Sequence, residues 1–457
     1  MKAAGGFQGG LDGVSRGCLV SRPISPGTTQ FSLQPVPTPG VTIVTEGESG
    51  VGSSDHRDPE TSHRDPEPDQ HSGEPNRRQF LQSVGAGGYA VGVATALDLG
   101  VGSGRDEVSI TYALARENPA EPTVADDADP ATGEDVSNLE PRTTTVPGEW
   151  YDAVELAFRL REELVEKYLD AIVDLFVVPG DIQEGAASLS ATVTAADVRE
   201  SVLDHGRGLD LGVDVEVIEE FSPEDEDGTD PWDARRVANI DAGVPGGVLC
   251  TSGDGYGTLT PVMYDSETGS RWFGTSNHVY GAQGTKTDEH AEEPLYVPDE
   301  ADIPHEVGAV ERGYPGEDVV RVRPAEGYRP APRIDGVPPS VVAGQFTRYG
   351  LALLAARGRK LEKIGAFSGY TTGEIQGIDG ITCYAGQVCK DGQLKWGDRE
   401  VVTSGDSGSV NYHPDLENPN EGVLVGGINN ARTWWPGQSY VWGVAAYRIT
   451  EQYGYHF

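Results

Sequence analysis

The segment TSGDSGSV, residues 403–410, contains a serine whose surroundings suit nucleophilic chemistry. Ser407 lies between two glycines and directly follows Asp406. A hydroxyl is a poor nucleophile at neutral pH, so it needs a neighbouring base and donors for the oxyanion that its attack creates. Gly405 lets the backbone turn so that its N–H and that of Ser407 can face one small space. The segment therefore predicts a nucleophile with an oxyanion hole, and the alternative is an ordinary turn in a chain with 61 glycines.

The base for such a serine must come from a distant part of the sequence. His278 ends the β-like run FGTSNHVYG in a short polar segment, and we select it as the candidate base. A surface histidine is the alternative interpretation. His290 and His305 lie in acidic loops, where solvated side chains are expected.

An acid that orients the base should be buried beside it, which suits an aspartate at the start of an apolar strand. Asp318 in GEDVVRVRP has this position, whereas Asp302 and Asp335 do not lead into an alternating apolar run. The order His278, Asp318, Ser407 is one of the three known chain orders of a catalytic triad.

Two structural regions are expected to position these residues. From 236 to 457, short alternating runs broken by glycine and proline predict an all-β domain with a helix near its end, and with a helical insertion at 350–364. Residues 148–235 predict a smaller helix-plus-sheet domain. In it, apolar residues from Trp150 to Phe176 recur at helical spacing up to Pro179, and the strands SLSATV (188–193) and VDVEVI (213–218) flank a short helix that a capping box at 194–197 begins.

The N-terminal third has the composition of tails, signals and linkers. Residues 1–75 are rich in Gly, Pro, Ser and Asp and predict a disordered tail. Residues 76–100 begin with two arginines followed by a run of small and apolar residues, which is typical of a twin-arginine export signal; a transmembrane helix is the alternative. Residues 101–147 predict an acidic linker. We therefore expect a secreted protein.

The net charge and the cysteine content reduce the number of functions that the chain could have. The net charge of −39 argues against binding to nucleic acids or to anionic membrane surfaces. Because the acidic residues are spread along the chain, we interpret them as adaptation to high salt, and the composition resembles that of proteins from halophilic archaea. The four cysteines match no zinc-site spacing, so neither a metal nor a cofactor is predicted.

From about residue 237 the chain resembles the chymotrypsin family of serine proteases, and most of all its secreted bacterial branch of streptogrisin and alpha-lytic type. The resemblance is carried, in order, by TSNHV, EDVVRV, GYTTGEIQGI, SGDSGS with VLVGGI, and the terminal ITEQYG. It implies an all-β double β-barrel with a C-terminal helix, preceded by a small α+β pro-region at 148–235. It also implies a serine endopeptidase in which His278 is the base, Asp318 its orienting partner and Ser407 the nucleophile, with Gly405 and Ser407 forming the oxyanion hole.

The resemblance further implies a specificity pocket and partners. The pocket residues would be Val401, Ser404, Gly426 and Asn429, and because Val401 supplies no acid, a preference for Lys or Arg is disfavoured. The expected partners are a polypeptide substrate and the protein's own pro-region, with a monomer as the expected state and no membrane insertion after processing.

The chain also departs from the family pattern around His278. Ser276 and Asn277 precede the histidine and Val279 follows it, so Cys250 lacks its usual partner, while Cys383 and Cys389 could close a local loop. These departures keep a second hypothesis open, namely a non-catalytic or only self-cleaving peptide-binding module on the same fold.

Overall fold

The computed structural model describes residues 106–116, 139–218, 233–253, 255–281, 292–336, 338–384, 388–432 and 439–457, which all belong to one compact unit. The predicted tail (1–75) and export segment (76–100) lie outside these residues. Among the helices described, none is long and apolar enough to cross a bilayer.

The first part of the chain, residues 106–218, contains five strands and two helices within its described ranges. In chain order they are β1 (Glu107–Ala115), β2 (Glu140–Pro147), α1 (Gly148–Tyr168), β3 (Ile172–Val178), β4 (Ser188–Val193), α2 (Ala196–Gly208) and β5 (Gly212–Val217).

Three features of this part differ from the prediction. The predicted linker at 101–147 contains the antiparallel pair β1–β2. Helix α1 ends at Tyr168, and the rest of the predicted helix is β3, whose sequence IVDLFVV is rich in β-branched residues and buried on both faces. The capping box at 194–197 does not form, because the N-cap of α2 is Ala195 and the Thr194 hydroxyl donates to the Ala171 carbonyl at 3.4 Å.

The first barrel is built from short antiparallel strands between residues 244 and 334, with one parallel pair beside it. They are β6 (Val244–Gly246), β7 (Leu249–Thr251), β8 (Tyr256–Thr258), β9 (Met263–Asp265), β10 (Arg271–Ser276), β11 (Pro294–Pro298), β12 (Pro304–Tyr314), β13 (Val319–Pro324) and β14 (Pro330–Ile334). The main sheet runs β9–β10–β13–β12–β11–β7–β8. A hydrogen bond of 2.9 Å from Thr260 N, just after β8, to Gly274 O on β10 closes it.

The second barrel follows in sequence. Its elements are β15 (Val342–Phe346), α3 (Arg348–Ala356), β16 (Lys360–Gly365), β17 (Gly369–Tyr384), β18 (Val388–Trp396), β19 (Val410–Pro414), β20 (Val423–Arg432), β21 (Val441–Ala445), α4 (Ala446–Tyr453) and β22 (Tyr455–His456). Strand pairing forms a closed ring, β16–β17–β18–β21–β20–β19 and back to β16. The predicted all-β double β-barrel with a C-terminal helix is thereby confirmed, and only the helix predicted at 350–364 is shorter, because residues 360–365 are strand β16.

The first part of the chain is joined to the second barrel by both strands and core. Strand β1 pairs with β15, and β3 pairs with β17, so the barrel sheet continues into residues 106–218 on two sides. Trp150 and Leu164 of α1 belong to the same buried apolar cluster as Leu351 and Trp396 of the barrel. The α+β region therefore shares its hydrophobic core with the domain that follows it.

Candidate active site

The first barrel brings His278 and Asp318 together through one pair of strands. Strand β10 pairs with β13, so the turn that follows β10 lies beside the residue that precedes β13. His278 lies in that turn, and its Nδ1 is 2.8 Å from Asp318 Oδ2. The His278 backbone N–H also donates to Asp318 Oδ1 at 3.0 Å. Both carboxylate oxygens thus hold the same histidine, fixing the orientation of its ring.

Asp318 is fully buried and ionised. Its backbone has a left-handed φ of 56°, and its carbonyl accepts from Asn277 N at 3.0 Å. The Lys390 ammonium donates to Oδ2, the oxygen that faces the imidazole. Burial by itself would raise the pKa of Asp318, but His278 and Lys390 outweigh it and lower the pKa to about 2. By contrast, 31% of the His278 side chain remains exposed, so the ring is accessible from solvent.

The second barrel places Ser407 against the same region. Ser407 lies in the loop between β18 and β19, and its carbonyl accepts from Thr258 N of the first barrel at 2.8 Å. Gly408 is so close that a Cβ there would lie 3.1 Å from Ser276 N, at the end of β10. The nucleophile candidate therefore lies where the two barrels meet, on the side that carries His278.

The Ser407 hydroxyl is linked to the His–Asp pair through one residue. Ser407 Oγ donates to Asn430 O at 3.1 Å, and Asn430 Nδ2 donates to Asp318 O at 3.0 Å. Within the described residues, no hydrogen bond joins this hydroxyl to the His278 ring. In this conformation the hydroxyl is turned toward the Asn430 carbonyl.

Asp406 fixes the loop beside Ser407 through a buried ion pair. Its carboxylate accepts from Lys363 Nζ at 2.8 Å. Three backbone N–H groups also donate to it, those of Phe367, Ser368 and Thr403. Burial would raise its pKa, but Lys363 and these donors lower it, so the group is a carboxylate. The structure thus assigns the Lys363 side chain as the charged partner of Asp406.

Two glycines make room for this loop. A Cβ at Gly365 would lie 2.1 Å from Asp406 Oδ1, so only glycine allows the carboxylate to approach. Gly405 has a φ of 92°, and a Cβ there would lie 2.3 Å from the Phe367 ring. Within the described residues, neither the Gly405 N–H nor the Ser407 N–H donates to an acceptor of the chain.

The four predicted pocket residues lie in two different environments. Val401 and Ser404 flank the nucleophile loop, with the Val401 carbonyl accepting from Thr371 Oγ1 at 2.8 Å. Asn429 is completely buried, and its side chain bonds Trp396 and Ser409. Gly426 is also interior. The structure thus places Gly426 and Asn429 in the barrel wall, and the substrate-binding role of all four residues stays a prediction.

The histidine and the two aspartates that were not chosen as candidate base or acid form contacts away from Ser407. His305 Nε2 is 3.1 Å from Asp299 Oδ2, Asp302 pairs with Arg236, and Asp335 pairs with Arg235. His290 lies outside the described residues.

Sequence reasoning missed three residues of the site, namely Lys363, Lys390 and Asn430. A signal for Lys390 was present, because the chain has only seven lysines and two of them, Lys390 and Lys395, lie in the strand sequence VCKDGQLKW. Cys383 and Cys389 are joined by a disulfide, whereas Cys250 is free and buried.

Comparisons with known proteins give structural matches only. No family model matches the chain, and no curated protein matches it significantly. Among solved structures, the alpha-lytic protease homologue N4 is 17% identical with a TM-score of 0.33, covering 47% of this chain and 98% of that chain. Thermobifida fusca protease A is 15% identical with a TM-score of 0.33, covering 47% and 97%. Cellulomonas bogoriensis chymotrypsin is 15% identical with a TM-score of 0.32 and the same coverage.

Proposed function

We propose that this protein is a secreted serine endopeptidase that hydrolyses peptide bonds through an acyl-enzyme. The observation that carries the proposal is the buried Asp318 carboxylate, which holds His278 by two hydrogen bonds beside the loop of Ser407. Such a pair makes the imidazole a base of fixed orientation, and the Ser407 hydroxyl supplies the candidate nucleophile.

The chemistry assigns one role to each residue. The Ser407 hydroxyl turns from the Asn430 carbonyl toward the ring, and Oγ attacks the substrate carbonyl carbon while its proton passes to His278 Nε2. Nδ1–H then donates to Asp318 Oδ2, whose negative charge stabilises the imidazolium. The C–N bond breaks as His278 returns the proton to the leaving amine, and water then hydrolyses the acyl-enzyme by the same steps in reverse order.

The oxyanion of each tetrahedral intermediate needs donors that are already in place. The left-handed backbone at Gly405 and the Asp406–Lys363 pair support a fixed loop in which the N–H groups of Gly405 and Ser407 serve as these donors. Export by the twin-arginine route, adaptation to high salt and action as a monomer on polypeptides belong to the same proposal.

Active-site labelling tests the proposal. The full chain, folded in high salt, is treated with a fluorophosphonate, and mass spectrometry of the peptides is expected to find the adduct on Ser407. Ser407→Ala is the control for site selectivity, and His278→Ala should slow labelling by about 10²- to 10⁴-fold, the usual contribution of a general base.

Two outcomes would contradict the proposal. Folded protein in which Ser407 stays unmodified would remove the nucleophile. Peptide binding that is equal in wild type and Ser407→Ala, without turnover of any peptide in a library, would favour the non-catalytic module.

A further inference from the structure

Lys390 contacts the candidate site although the proposed reaction needs no lysine. Its Nζ donates to Asp318 Oδ2, the same oxygen that accepts from His278 Nδ1. Only 9% of Lys390 is exposed. A buried carboxylate beside a neutral imidazole would lack a counter-charge, and an uncompensated buried charge is costly. Lys390 supplies that counter-charge.

The backbone holds Lys390 in this place from two sides. In the β17–β18 hairpin Lys390 is opposite Thr382, directly next to the Cys383–Cys389 disulfide. On its other side, Thr382 pairs with Asp174 of β3. The lysine is therefore carried by a cross-linked hairpin that the first part of the chain supports.

We propose that Lys390 is a positioning residue of the His278–Asp318 pair. It keeps Asp318 in place as a carboxylate with Oδ2 toward the imidazole, and its positive charge sets the lower pH limit at which His278 works as a base. This inference rests on the proposed function and assigns it a residue that the triad alone does not contain.

The other acidic groups next to the pair have partners of their own. Glu317 accepts from the Tyr453 hydroxyl, and Asp391 pairs with Arg161 and with Arg448. Lys390 is thus the cation that acts directly on Asp318. A positive charge near an imidazole disfavours its protonated form, so removing Lys390 should make protonation of the base easier.

Three variants of the full chain test the role. Lys390→Met removes the charge, and Lys390→Arg keeps it. Lys395→Met is the matched control, because Lys395 is also buried on β18 but interacts with Asp174 rather than with Asp318. We expect Lys390→Met to move the acid limb of kcat/KM up by about one pH unit. The plateau of kcat/KM should fall about 10- to 100-fold, as misplacement of a catalytic group does.

Lys390→Arg should restore the wild-type profile, and Lys395→Met should keep it. The proton NMR signal of His278 Nδ1–H gives a second readout that needs no turnover: it should shift in Lys390→Met and stay unchanged in Lys395→Met. The inference is overturned if the two Met variants share the wild-type acid limb and the wild-type Nδ1–H signal. Failure of wild type to label with fluorophosphonate would instead refute the proposed function, whatever the NMR result.

Discussion

Three buried lysines lie beside aspartates in a chain whose net charge is −39. Lys363 pairs with Asp406, Lys390 pairs with Asp318, and Lys395 interacts with Asp174. Two of these aspartates belong to the candidate site. An interior carboxylate must be paired because water cannot solvate it there. Lys363 and Lys390 therefore neutralise two interior carboxylates of the candidate site.

The lowered pKa of Asp318 predicts a pH dependence of stability. Since its pKa is about 2 in the folded protein and higher in the unfolded chain, the ionised group stabilises the fold above its ordinary pKa. The contribution is about 2.5 kcal/mol at pH 6 and about half of that at pH 3, and it disappears as the pH falls through 2. Urea unfolding at constant salt should show this as the difference between wild type and Asp318→Asn.

The difference between the two proteins, rather than either curve alone, is the relevant measurement, because many other carboxylates titrate in the same range. A difference that is the same at pH 6 and at pH 3 would contradict an ionised Asp318 in the folded protein.

At the scale of elements, helix α3 adds a further contact to strand β1, beside its pairing with β2 and β15. Thr347, the N-cap of α3, donates from its hydroxyl to Thr111 O at 2.6 Å and from its backbone to Tyr112 O at 3.1 Å. The next turn comes so close that a Cβ at Gly350 would lie 1.8 Å from Tyr112 O. The helix thus packs directly on the backbone of β1, and only glycine fits at this point.

Gly350→Ala should separate β1 from α3, because neither backbone can yield without losing hydrogen bonds. We expect hydrogen exchange to show lost protection in β1 and β2 while the first barrel keeps its protection. The cost should be about 1–3 kcal/mol, as in other overpacked sites. Gly208→Ala, where a Cβ would meet no atom within 4 Å, is the control and should leave exchange unchanged. Equal exchange in both variants would contradict this contact.

The elements show which parts of the fold a sequence can predict. The strands and glycine turns of the two barrels follow from local alternation. The segment Ile172–Val178 could not be assigned by periodicity, because a strand buried on both faces and a helix can carry the same apolar positions. Strands β1 and β2 were missed because the acidic residues between and around them resemble a linker, and the partner that joins β1 to the barrel, β15, is distant in sequence.

The candidate site was predicted only in part for a similar reason. His278, Asp318 and Ser407 each lie in a recognisable local motif, and the first two are in hydrogen-bond contact. Lys390 and Asn430 carry no such motif, and only the pairing of distant strands brings them to Asp318. The tertiary structure determines which residues surround a motif, and the local spacing of residues in the sequence does not predict these neighbours.

At the scale of the whole molecule, residues 106–218 extend the sheet of the second barrel and share its core. Two strand pairings and one apolar core join these residues to the barrel. Two ion pairs also connect them: Arg142 with the buried Asp415 at 2.6 Å, and Arg161 with Asp391. Trp150 and Leu164 have no exposed surface. Removing this part would expose the apolar face that α1 covers, and each large side chain exposed costs about 1.5–3 kcal/mol.

Cutting the chain between the two parts tests this dependence without removing either part. A specific protease site inserted between Ile218 and Asp233 is cleaved in the folded protein, and the uncut insertion variant is the control. Because core, strands and ion pairs join the two pieces, they should elute together in size-exclusion chromatography and separate only in denaturant.

A chain that begins at Asp233 and is expressed alone should lack hydrogen-exchange protection in β15–β21. If that shorter chain instead folds with full protection, or the cut pieces separate in native buffer, residues 106–218 are a removable pro-region rather than part of the barrel.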